Sequence, residues 1–379
     1  MPPLPIPSDD ARKHSAKLVN LIRTEIASAG GWLGFARYME LALYAPLLGY
    51  YHSGANKFGT EGDFVTAPEI SPLFGRMLAR QFADILDQGG GGILELGAGT
   101  GKLAAHVLGE LKQLGKPVPY SILDVSGELQ QRQQEALAGA GLINPVSWLD
   151  TLPDNFTGVM FGNEVLDALP VHLVHWTASG AMERGVIWQD NQFQWQDQPI
   201  SDPMLLKRAH SLDLPPGYIS EISLAAPALV TELGRRLNTG LILFIDYGFG
   251  RSEYYHPQRH MGTLRAHYRH HALDDPFYLP GLSDLTAHVD FTAIANAGLD
   301  AGLNLLGYTS QAHFLINGGL TSLLAETPPE QVANYLPQTA AVQKLVSPAE
   351  MGELFKALGL GKGVHAPSGF AGGSLARLL

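Results

Sequence analysis

The chain has 379 residues, a formal net charge of −11 at pH 7 and no cysteine. This length exceeds that of a usual single domain and predicts either one large core with insertions or two lobes. The absence of cysteine excludes disulfides, thiolate metal ligands and a cysteine nucleophile, and it favours a cytoplasmic location. The acidic charge argues against nucleic acid as a partner, and no apolar run is long enough to predict insertion into a membrane.

The first 88 residues are expected to form an N-terminal helical region that ends in an irregular segment. Helical spacing of apolar residues predicts helices at 10–29, 33–43 and 73–86. Before the third helix, and above all within 62–75, Gly, Pro and aromatic residues are too frequent for one regular element. The remaining residues, 89–379, are expected to form the main core.

From residue 93 onward, predicted strands and helices alternate, which is typical of a parallel sheet with helical crossovers. Seven strands are predicted, at 93–96, 120–125, 146–149, 159–163, 241–246, 303–309 and 353–360. Helices are expected at 103–114 and 128–137. Two long insertions, at about 172–240 and 249–290, interrupt the pattern, and the first begins with alternating residues typical of β-hairpins. Insertions of this length usually carry lids or binding surfaces.

Glycine occupies every second position after the first predicted strand, at Gly97, Gly99 and Gly101. Such a loop adopts positive φ and lets a ligand approach the backbone, while the amides of the next helix attract a carboxylate or phosphate. A P-loop is excluded, because Leu96 replaces its first glycine and Leu103 its magnesium-binding hydroxyl. A dinucleotide-binding loop is disfavoured, because Lys102 replaces its third glycine. The remaining pattern, Glu-x-Gly-x-Gly-x-Gly, resembles motif I of Rossmann-like S-adenosylmethionine (SAM) methyltransferases, with a plain glycine-rich turn as the alternative.

Two acids near this loop are candidate cofactor ligands. Asp124 ends the second predicted strand, where an acid can accept hydrogen bonds from both hydroxyls of a ribose. A surface acid that caps the next helix is the alternative. Glu95 ends a buried strand, so we expect it to accept hydrogen bonds from loop amides or to reach the amino group of the ligand through water. Val125 and Asn163, at the ends of the second and fourth strands, complete this candidate set.

Two further acids, Glu164 and Asp167, follow the fourth predicted strand. Three residues apart, they share a face if the segment is helical. Paired carboxylates bind a guanidinium, orient one nitrogen toward the sulfonium methyl group and accept its proton. The alternatives are a helix cap for Glu164 and a solvent-exposed Asp167. Tyr247, at the end of the fifth strand, is either part of the acceptor wall or a packed core tyrosine.

The histidines in the second insertion and beyond it match no metal-binding pattern of the HExxH type, so no metal is predicted. The neighbouring residues His270 and His271 would not point at one ion from regular structure. His288, with Asp290, is expected to hold the second insertion by hydrogen bonds, and we count His288 among the candidate catalytic residues.

These segments together resemble the MidA-type SAM-dependent methyltransferase family, whose mitochondrial members are assembly factors of respiratory complex I. The matching stretches are 49–51, 62–75, 95–101, 163–170, 245–248 and 287–291. They span about residues 35–359, and the 62–75 stretch is far more specific than the glycine loop. One departure is Asp124, where many relatives have Glu.

The resemblance implies an α/β fold, with a seven-stranded Rossmann-like class I SAM methyltransferase sheet, an N-terminal helical segment and inserted lobes. It implies SAM as cofactor and methyl transfer to an arginine nitrogen of a partner protein, for which a respiratory complex subunit is the candidate. It also implies that 62–75 covers the cofactor, with Thr66, Pro68 and Ser71 lining it. A SAM-binding assembly chaperone without turnover and a methyltransferase of a small amine or oxygen acceptor are the alternatives.

Overall fold

The computed structural model describes residues 4–52 and 66–379, which form two compact units. The first unit comprises the described part of Met1–Phe64 together with Asp167–Ala226 and Ser252–His288. The second comprises the described part of Val65–Leu166 together with Pro227–Arg251 and Val289–Leu379. Each unit has its own buried apolar core. The first unit contains most of the two expected insertions.

The described residues contain fourteen α-helices. They are α1 Asp9–Ser28, α2 Phe35–Tyr44, α3 Ala67–Ile70, α4 Pro72–Gly89, α5 Lys102–Gln113, α6 Gly127–Gly139, α7 Pro203–Leu212, α8 Ala225–Arg236, α9 Arg251–Tyr254, α10 Phe291–Asp300, α11 Gln311–Asn317, α12 Leu320–Leu324, α13 Val332–Val346 and α14 Met351–Leu354. Within the described ranges, none of these helices combines the length and the apolar composition needed to cross a membrane.

The same residues contain sixteen β-strands. They are β1 Leu33–Gly34, β2 Gly92–Leu96, β3 Tyr120–Leu123, β4 Val146–Leu149, β5 Phe156–Asn163, β6 His172–Thr177, β7 Gly180–Gln189, β8 Gln192–Pro199, β9 Tyr218–Ile222, β10 Leu237–Phe249, β11 Arg265–Tyr268, β12 His271–Leu273, β13 Asp284–Thr286, β14 Val289–Asp290, β15 Asn304–Ser310 and β16 Phe355–Lys362.

A mixed sheet forms the centre of the second unit. Its strand order is β15-β16-β10-β5-β2-β3-β4, and the two-residue β14 pairs with the end of β10. Strand β16 runs antiparallel to both of its neighbours, while β10, β5, β2, β3 and β4 pair in parallel. Residues 241–246 of β10 are buried, as expected for a parallel strand covered on both faces. This order brings the carboxyl ends of β2, β3, β5 and β10 to one edge of the sheet.

Helices α4 and α5 belong to the core of this sheet. The ring of Phe82 in α4 lies 4.9 Å from that of Phe161 in β5, and Val107 of α5 is buried in the same apolar cluster. Residues 72–89 therefore pack with the sheet. The division expected after residue 88 stays a prediction.

The first unit contains α1, α2 and two smaller antiparallel sheets. The larger sheet has the order β1-β7-β6-β9, with β8 paired to β7, and the smaller has the order β12-β11-β13. The core of this unit includes a group of packed aromatic rings: Tyr38 of α2 contacts the rings of Phe35, Phe193 and Phe277 at 5.3–5.7 Å between centroids. The β-hairpins expected after residue 172 are thus confirmed as β6, β7 and β8.

The α/β class predicted from the sequence is confirmed, and the seven predicted strands lie within a few residues of their expected positions. The sheet contains one strand more than expected, because β14 adds two residues beside β10. The helix considered for 164–167 is absent, since these residues form bends and a turn.

Candidate cofactor site

The glycine loop joins β2 to α5 at the carboxyl edge of the large sheet. Gly97, Gly99 and Gly101 have φ values of 61°, 52° and 81°, in the left-handed region that other residues rarely adopt. A Cβ on Gly101 would lie 2.8 Å from the Cα of Gln133, so space as well as backbone angle requires glycine there. The conformation predicted from the glycine spacing is thus present, and it exposes bare backbone at the start of α5.

Glu95 is buried beneath this loop. Its Oε2 accepts a hydrogen bond of 2.7 Å from the Tyr120 hydroxyl, and no loop amide among the described residues donates to it. Of the two contacts expected for Glu95, the one to the amino group of the ligand stays a prediction. Burial raises the pKa of Glu95 to about 8, although the Tyr120 hydrogen bond lowers it, and the negative charge of Asp124 raises it further. The carboxyl group therefore takes up a proton near neutral pH.

Asp124 is held at the end of β3 by two donors. Its Oδ1 accepts from the Ser126 amide at 3.0 Å, and its Oδ2 accepts from Gln133 Nε2 at 2.8 Å. Ser126 itself caps α6, so the helix has its own cap beside Asp124. The next residue, Val125, is 67% exposed, which leaves an apolar surface beside the acid.

Gln133 connects the acid to the glycine loop, and sequence reasoning missed it. Its Nε2 donates to the Gly99 carbonyl at 3.1 Å as well as to Asp124, and its Oε1 accepts from Trp148 Nε1 at 2.9 Å. The signal was present in the sequence: Gln133 lies four residues after Leu129 and four before Leu137, in the buried stripe of α6. A polar residue in such a stripe requires buried partners.

The short helix α3 approaches the glycine loop from the other side. Glu69 accepts a hydrogen bond of 2.7 Å from the Thr100 hydroxyl and pairs with Lys102, the first residue of α5. Of the candidate lining residues, Thr66 precedes α3, Pro68 lies in its first turn, and the Ser71 hydroxyl caps α4 by accepting from the Leu73 amide. The earlier residues of this segment, 62–65, lie outside the described part of the chain.

Asn163 and Glu164 follow β5 at the same edge. Glu164 has a φ of 54°, its amide donates to the Ile245 carbonyl at 2.9 Å, and its Oε1 accepts from Asn163 Nδ2 and from the Ala67 amide. Within the described ranges, Asn163 Oδ1 is buried without a hydrogen-bond partner. The left-handed residue explains why no helix extends from Glu164 to Asp167.

Asp246 and Tyr247 end the buried part of β10. Asp246 Oδ2 accepts from the amides of Val165 and Leu166, and its Oδ1 accepts from the Tyr247 amide. The Tyr247 ring lies edge-on against Phe355, with centroids 5.3 Å apart. Tyr247 therefore packs on β16, and its role in an acceptor wall stays a prediction.

The candidates Asp167 and His288 belong to the first unit, whereas all the other candidate residues belong to the second. The Asp167 carbonyl accepts a hydrogen bond from the Ala287 amide at 3.0 Å, and the His288 amide donates to the Thr263 hydroxyl at 3.0 Å. Burial raises the pKa of the nearby Tyr51 well above its usual value, and the charges of Asp284 and Asp167 contribute to this shift. Catalytic roles for Asp167 and His288 stay predictions.

The site in the second unit fits SAM on three observations. The glycine loop leaves no Cβ over the amides that would receive the carboxylate of the methionine part. Asn163 Oδ1 has no hydrogen-bond partner within the described residues and would accept from the ammonium group of the cofactor. Asp124 with the exposed Val125 offers an acceptor for ribose hydroxyls next to an apolar surface for a base. In contrast, the described residues contain no group of three or more His, Asp or Glu arranged to hold a metal ion.

Comparison with solved structures supports SAM as the cofactor. A crystal structure of a Burkholderia thailandensis protein bound to S-adenosyl-homocysteine is 51% identical to this chain. The match covers 100% of both chains with a TM-score of 0.96. The bound molecule is the product that remains when SAM has lost its methyl group.

Two curated relatives extend the comparison to enzymes named for their acceptor. The protein arginine methyltransferase NDUFAF7 homolog of Caenorhabditis elegans is 30% identical over 83% of this chain and 78% of its own length. NDUFAF7 of Danio rerio is 30% identical over 86% of this chain and 83% of its own length. Both are named mitochondrial proteins, so the cytoplasmic location expected from the sequence is wrong on this comparison.

A family model provides the assignment. The model that describes S-adenosyl-L-methionine-dependent methyltransferases matches residues 77–309. This range includes the glycine loop, Asp124, Asn163 and Glu164. The chain belongs to this family of SAM-dependent methyltransferases, with SAM as its cofactor.

Proposed function

We propose that the protein transfers the methyl group of SAM to an arginine nitrogen of a partner protein. The observation that carries this proposal is the carboxylate of Glu164, held beside Asn163 at the end of β5. A carboxylate at this place suits a guanidinium, because charge-assisted hydrogen bonds both orient the planar group and compensate its charge. The names of the curated relatives, protein arginine methyltransferases, support the same acceptor.

Each of the site residues in the second unit then has a distinct role. SAM, when bound, supplies an electrophilic methyl group on a sulfonium centre. The glycine loop binds the carboxylate end of the cofactor through backbone amides, and Asn163 accepts a hydrogen bond from its ammonium group. Asp124 accepts hydrogen bonds from the ribose hydroxyls. Gln133 holds Asp124 and the glycine loop in place relative to each other, because it donates to both.

Glu164 acts on the acceptor side. Its carboxylate accepts N–H hydrogen bonds from the guanidinium, presents one nitrogen to the methyl group and takes up the proton released when the C–N bond forms. Asp167 and His288 of the first unit stay candidates from the sequence for this side of the reaction. Glu95, buried beneath the loop, is a further carboxyl group close to the place proposed for the cofactor.

For the partner, we propose a basic segment of a respiratory complex subunit. The net charge of −11 favours a cationic protein segment over an acidic one. The mitochondrial names of the relatives support a respiratory partner.

The test combines cofactor binding with identification of the product. Calorimetry with SAM measures binding, and mass spectrometry of a cell extract incubated with labelled SAM and the protein identifies the methylated residue. Methylarginine in one or a few proteins is the expected result. SAM binding without any methylated protein would instead favour the assembly chaperone. A methylated small molecule would favour a methyltransferase of a small amine or oxygen acceptor. Loss of SAM binding by the intact chain contradicts the proposal altogether.

A single substitution tests the role of Glu164. We expect Glu164→Gln to lower methyl transfer about 100-fold or more, because Gln neither takes up the proton nor carries the charge. SAM affinity should change less than about threefold, since Gln retains the oxygen that accepts from Asn163. Glu330→Gln, at an exposed position, is the matched control. Methyl transfer at the wild-type rate in Glu164→Gln removes Glu164 from the acceptor role.

A further inference from the structure

We propose that Asp246 is a positioning residue that holds Glu164 in its left-handed conformation, and this inference rests on the proposed function of Glu164. Asp246 lies on β10, 80 residues along the chain from the turn that it holds. It acts through the backbone of that turn.

The strain at Glu164 is the first step of the argument. With a φ of 54°, Glu164 occupies a region where a side chain with a Cβ is disfavoured and where glycine is common. Such residues persist where the surrounding structure determines them, and they concentrate at functional sites. A glutamate in place of glycine indicates that the carboxylate is needed at this point of the chain.

The second step is the way in which Asp246 holds this turn. Its side chain is 1% exposed, and Oδ2 accepts from the amides of Val165 at 3.1 Å and Leu166 at 2.8 Å. Its Oδ1 accepts from the Tyr247 amide at 2.9 Å. Both oxygens therefore act as acceptors toward backbone N–H groups. The two amides that follow Glu164 are fixed in this way, so that the chain reverses directly after β5.

The consequence is a defined direction for the Glu164 side chain. Its amide is fixed by the Ile245 carbonyl, and the next two amides are fixed by Asp246. The carboxylate is thereby kept toward Asn163 Nδ2 and the Ala67 amide. If the turn relaxed to an ordinary φ, the direction of the Cα–Cβ bond would change and these contacts would be lost.

Asparagine provides a sharp test because it has nearly the same shape as aspartate. Its NH₂ group is a donor, and it would face either the Tyr247 amide or the amides of Val165 and Leu166. In Asp246→Asn we expect amide hydrogen exchange of peptides covering 164–166 to rise at least tenfold. Methyl transfer from radiolabelled SAM to proteins of a cell extract should fall about 100-fold, as for a small misplacement of a reacting group. SAM affinity, measured by calorimetry, should fall much less than methyl transfer, because only the contact of Glu164 with Asn163 is lost, while the glycine loop and Asp124 are unchanged.

A second variant separates positioning from folding. Glu164→Gly removes the strain, so Asp246→Asn should lower the unfolding temperature less in the Glu164→Gly background than in the wild type. This holds even if Asp246→Asn alone does not fold. Asp190→Gly is the matched control: Asp190 has a φ of 53° in the exposed turn between β7 and β8, and its replacement should leave methyl transfer unchanged.

The outcomes distinguish this inference from the proposed function. Wild-type exchange and methyl transfer in Asp246→Asn would overturn the positioning role and leave the function of Glu164 intact. An equal loss of stability in both backgrounds would also overturn it, because Asp246 would then be a general folding element. If Asp246→Asn raises exchange while Glu164→Gln transfers methyl groups normally, the proposed function of Glu164 fails and the structural role of Asp246 stands.

Discussion

At the scale of single residues, Glu95 combines full burial with a carboxyl group. Its pKa is raised from the usual 4.5 to about 8, chiefly by burial, so the folded protein binds a proton that the unfolded chain releases at lower pH. A raised folded-state pKa stabilises the protein below pH 4.5, and this contribution is lost as the pH rises through 8. Ionisation of Glu95 therefore destabilises the unliganded protein in the neutral range.

Glu95→Gln tests this pH dependence. The amide resembles the protonated carboxyl, so the variant should lose the part of the pH dependence that comes from Glu95. Between pH 5 and 8, the free energy of unfolding of the wild type should fall relative to that of the variant by on the order of a few kcal/mol. Denaturant unfolding at several pH values measures this difference. A constant difference across the range would show that Glu95 has the same protonation state in the folded and the unfolded protein.

Single residues also show where sequence reasoning succeeds and where it ends. The left-handed glycines at 97, 99 and 101 were predictable, because their requirement is written in their own spacing. The left-handed Glu164 was not, because its cause is an aspartate in another strand. Gln133 was visible as a polar residue in an apolar stripe, but its partners, Asp124 and the Gly99 carbonyl, appear only in the folded chain.

At the scale of elements, α3 is connected to the glycine loop by Glu69. One carboxylate oxygen accepts from Thr100, and the other pairs with Lys102. Lys102, which replaces the third glycine of a dinucleotide-binding loop, is thus the partner of a glutamate. Because Glu69 is largely buried and Lys102 is half exposed, the pair combines a fixed acid with a solvated cation.

We expect this connection to stabilise the SAM-binding form of the loop. Glu69→Gln should weaken SAM binding about three- to tenfold, because a charge-assisted contact on the loop is lost. Lys102→Met should have a smaller effect, and the double variant should reveal a coupling of about 0.2–1 kcal/mol that decreases with added salt. Calorimetry with SAM measures all of these values.

A second ion pair serves as the control for this cycle. Asp87 of α4 pairs with Lys116, outside the glycine loop. The side chain of Asp87 is 63% exposed, which is close to the 52% of Lys102. Asp87→Asn should leave SAM affinity unchanged. An equal loss of affinity in Asp87→Asn and Glu69→Gln would indicate a general electrostatic effect and contradict a specific role of α3.

At the scale of the whole molecule, the order of the elements was accessible from the sequence and the packing of the C-terminal residues was not. Strands and helices of the core carry their periodicity locally, so their succession was predicted. The residues after 360 are rich in Gly and Ala, yet they pack onto the large sheet and α4. Gly369 donates to buried Gln81 at 2.6 Å, and Thr309 donates to the Gly373 carbonyl at 2.8 Å. Contacts between distant parts of the chain leave no local signal.

Phe370 is the centre of this packing. Its ring lies 4.9 Å from that of Phe314, and a Cβ on Gly307 or Gly359 would come within 2.3 or 2.5 Å of it. The two glycines, on the adjacent strands β15 and β16, thus form the flat surface on which the ring lies. Glycine is required at both positions because the ring of Phe370, in the C-terminal segment, packs directly against them.

This packing predicts that substitutions at Gly359 and Phe370 have strongly coupled effects on the free energy of unfolding. Gly359→Ala should lower the free energy of unfolding by about 1–3 kcal/mol, because the methyl group would overlap the ring. Phe370→Ala should cost about 2–4 kcal/mol, since an aromatic contact and its buried area are lost.

In the Phe370→Ala background, Gly359→Ala should cost almost nothing, because the space is then open. Gly139→Ala, at the end of α6 with nothing within 4 Å of the added methyl group, is the control and should change the free energy of unfolding by the same small amount in both backgrounds. Denaturant unfolding of the four proteins of the cycle, with this control, measures the coupling. Equal costs of Gly359→Ala in both backgrounds would mean that the glycine is required by the sheet itself, and that the C-terminal segment contributes to stability independently of it.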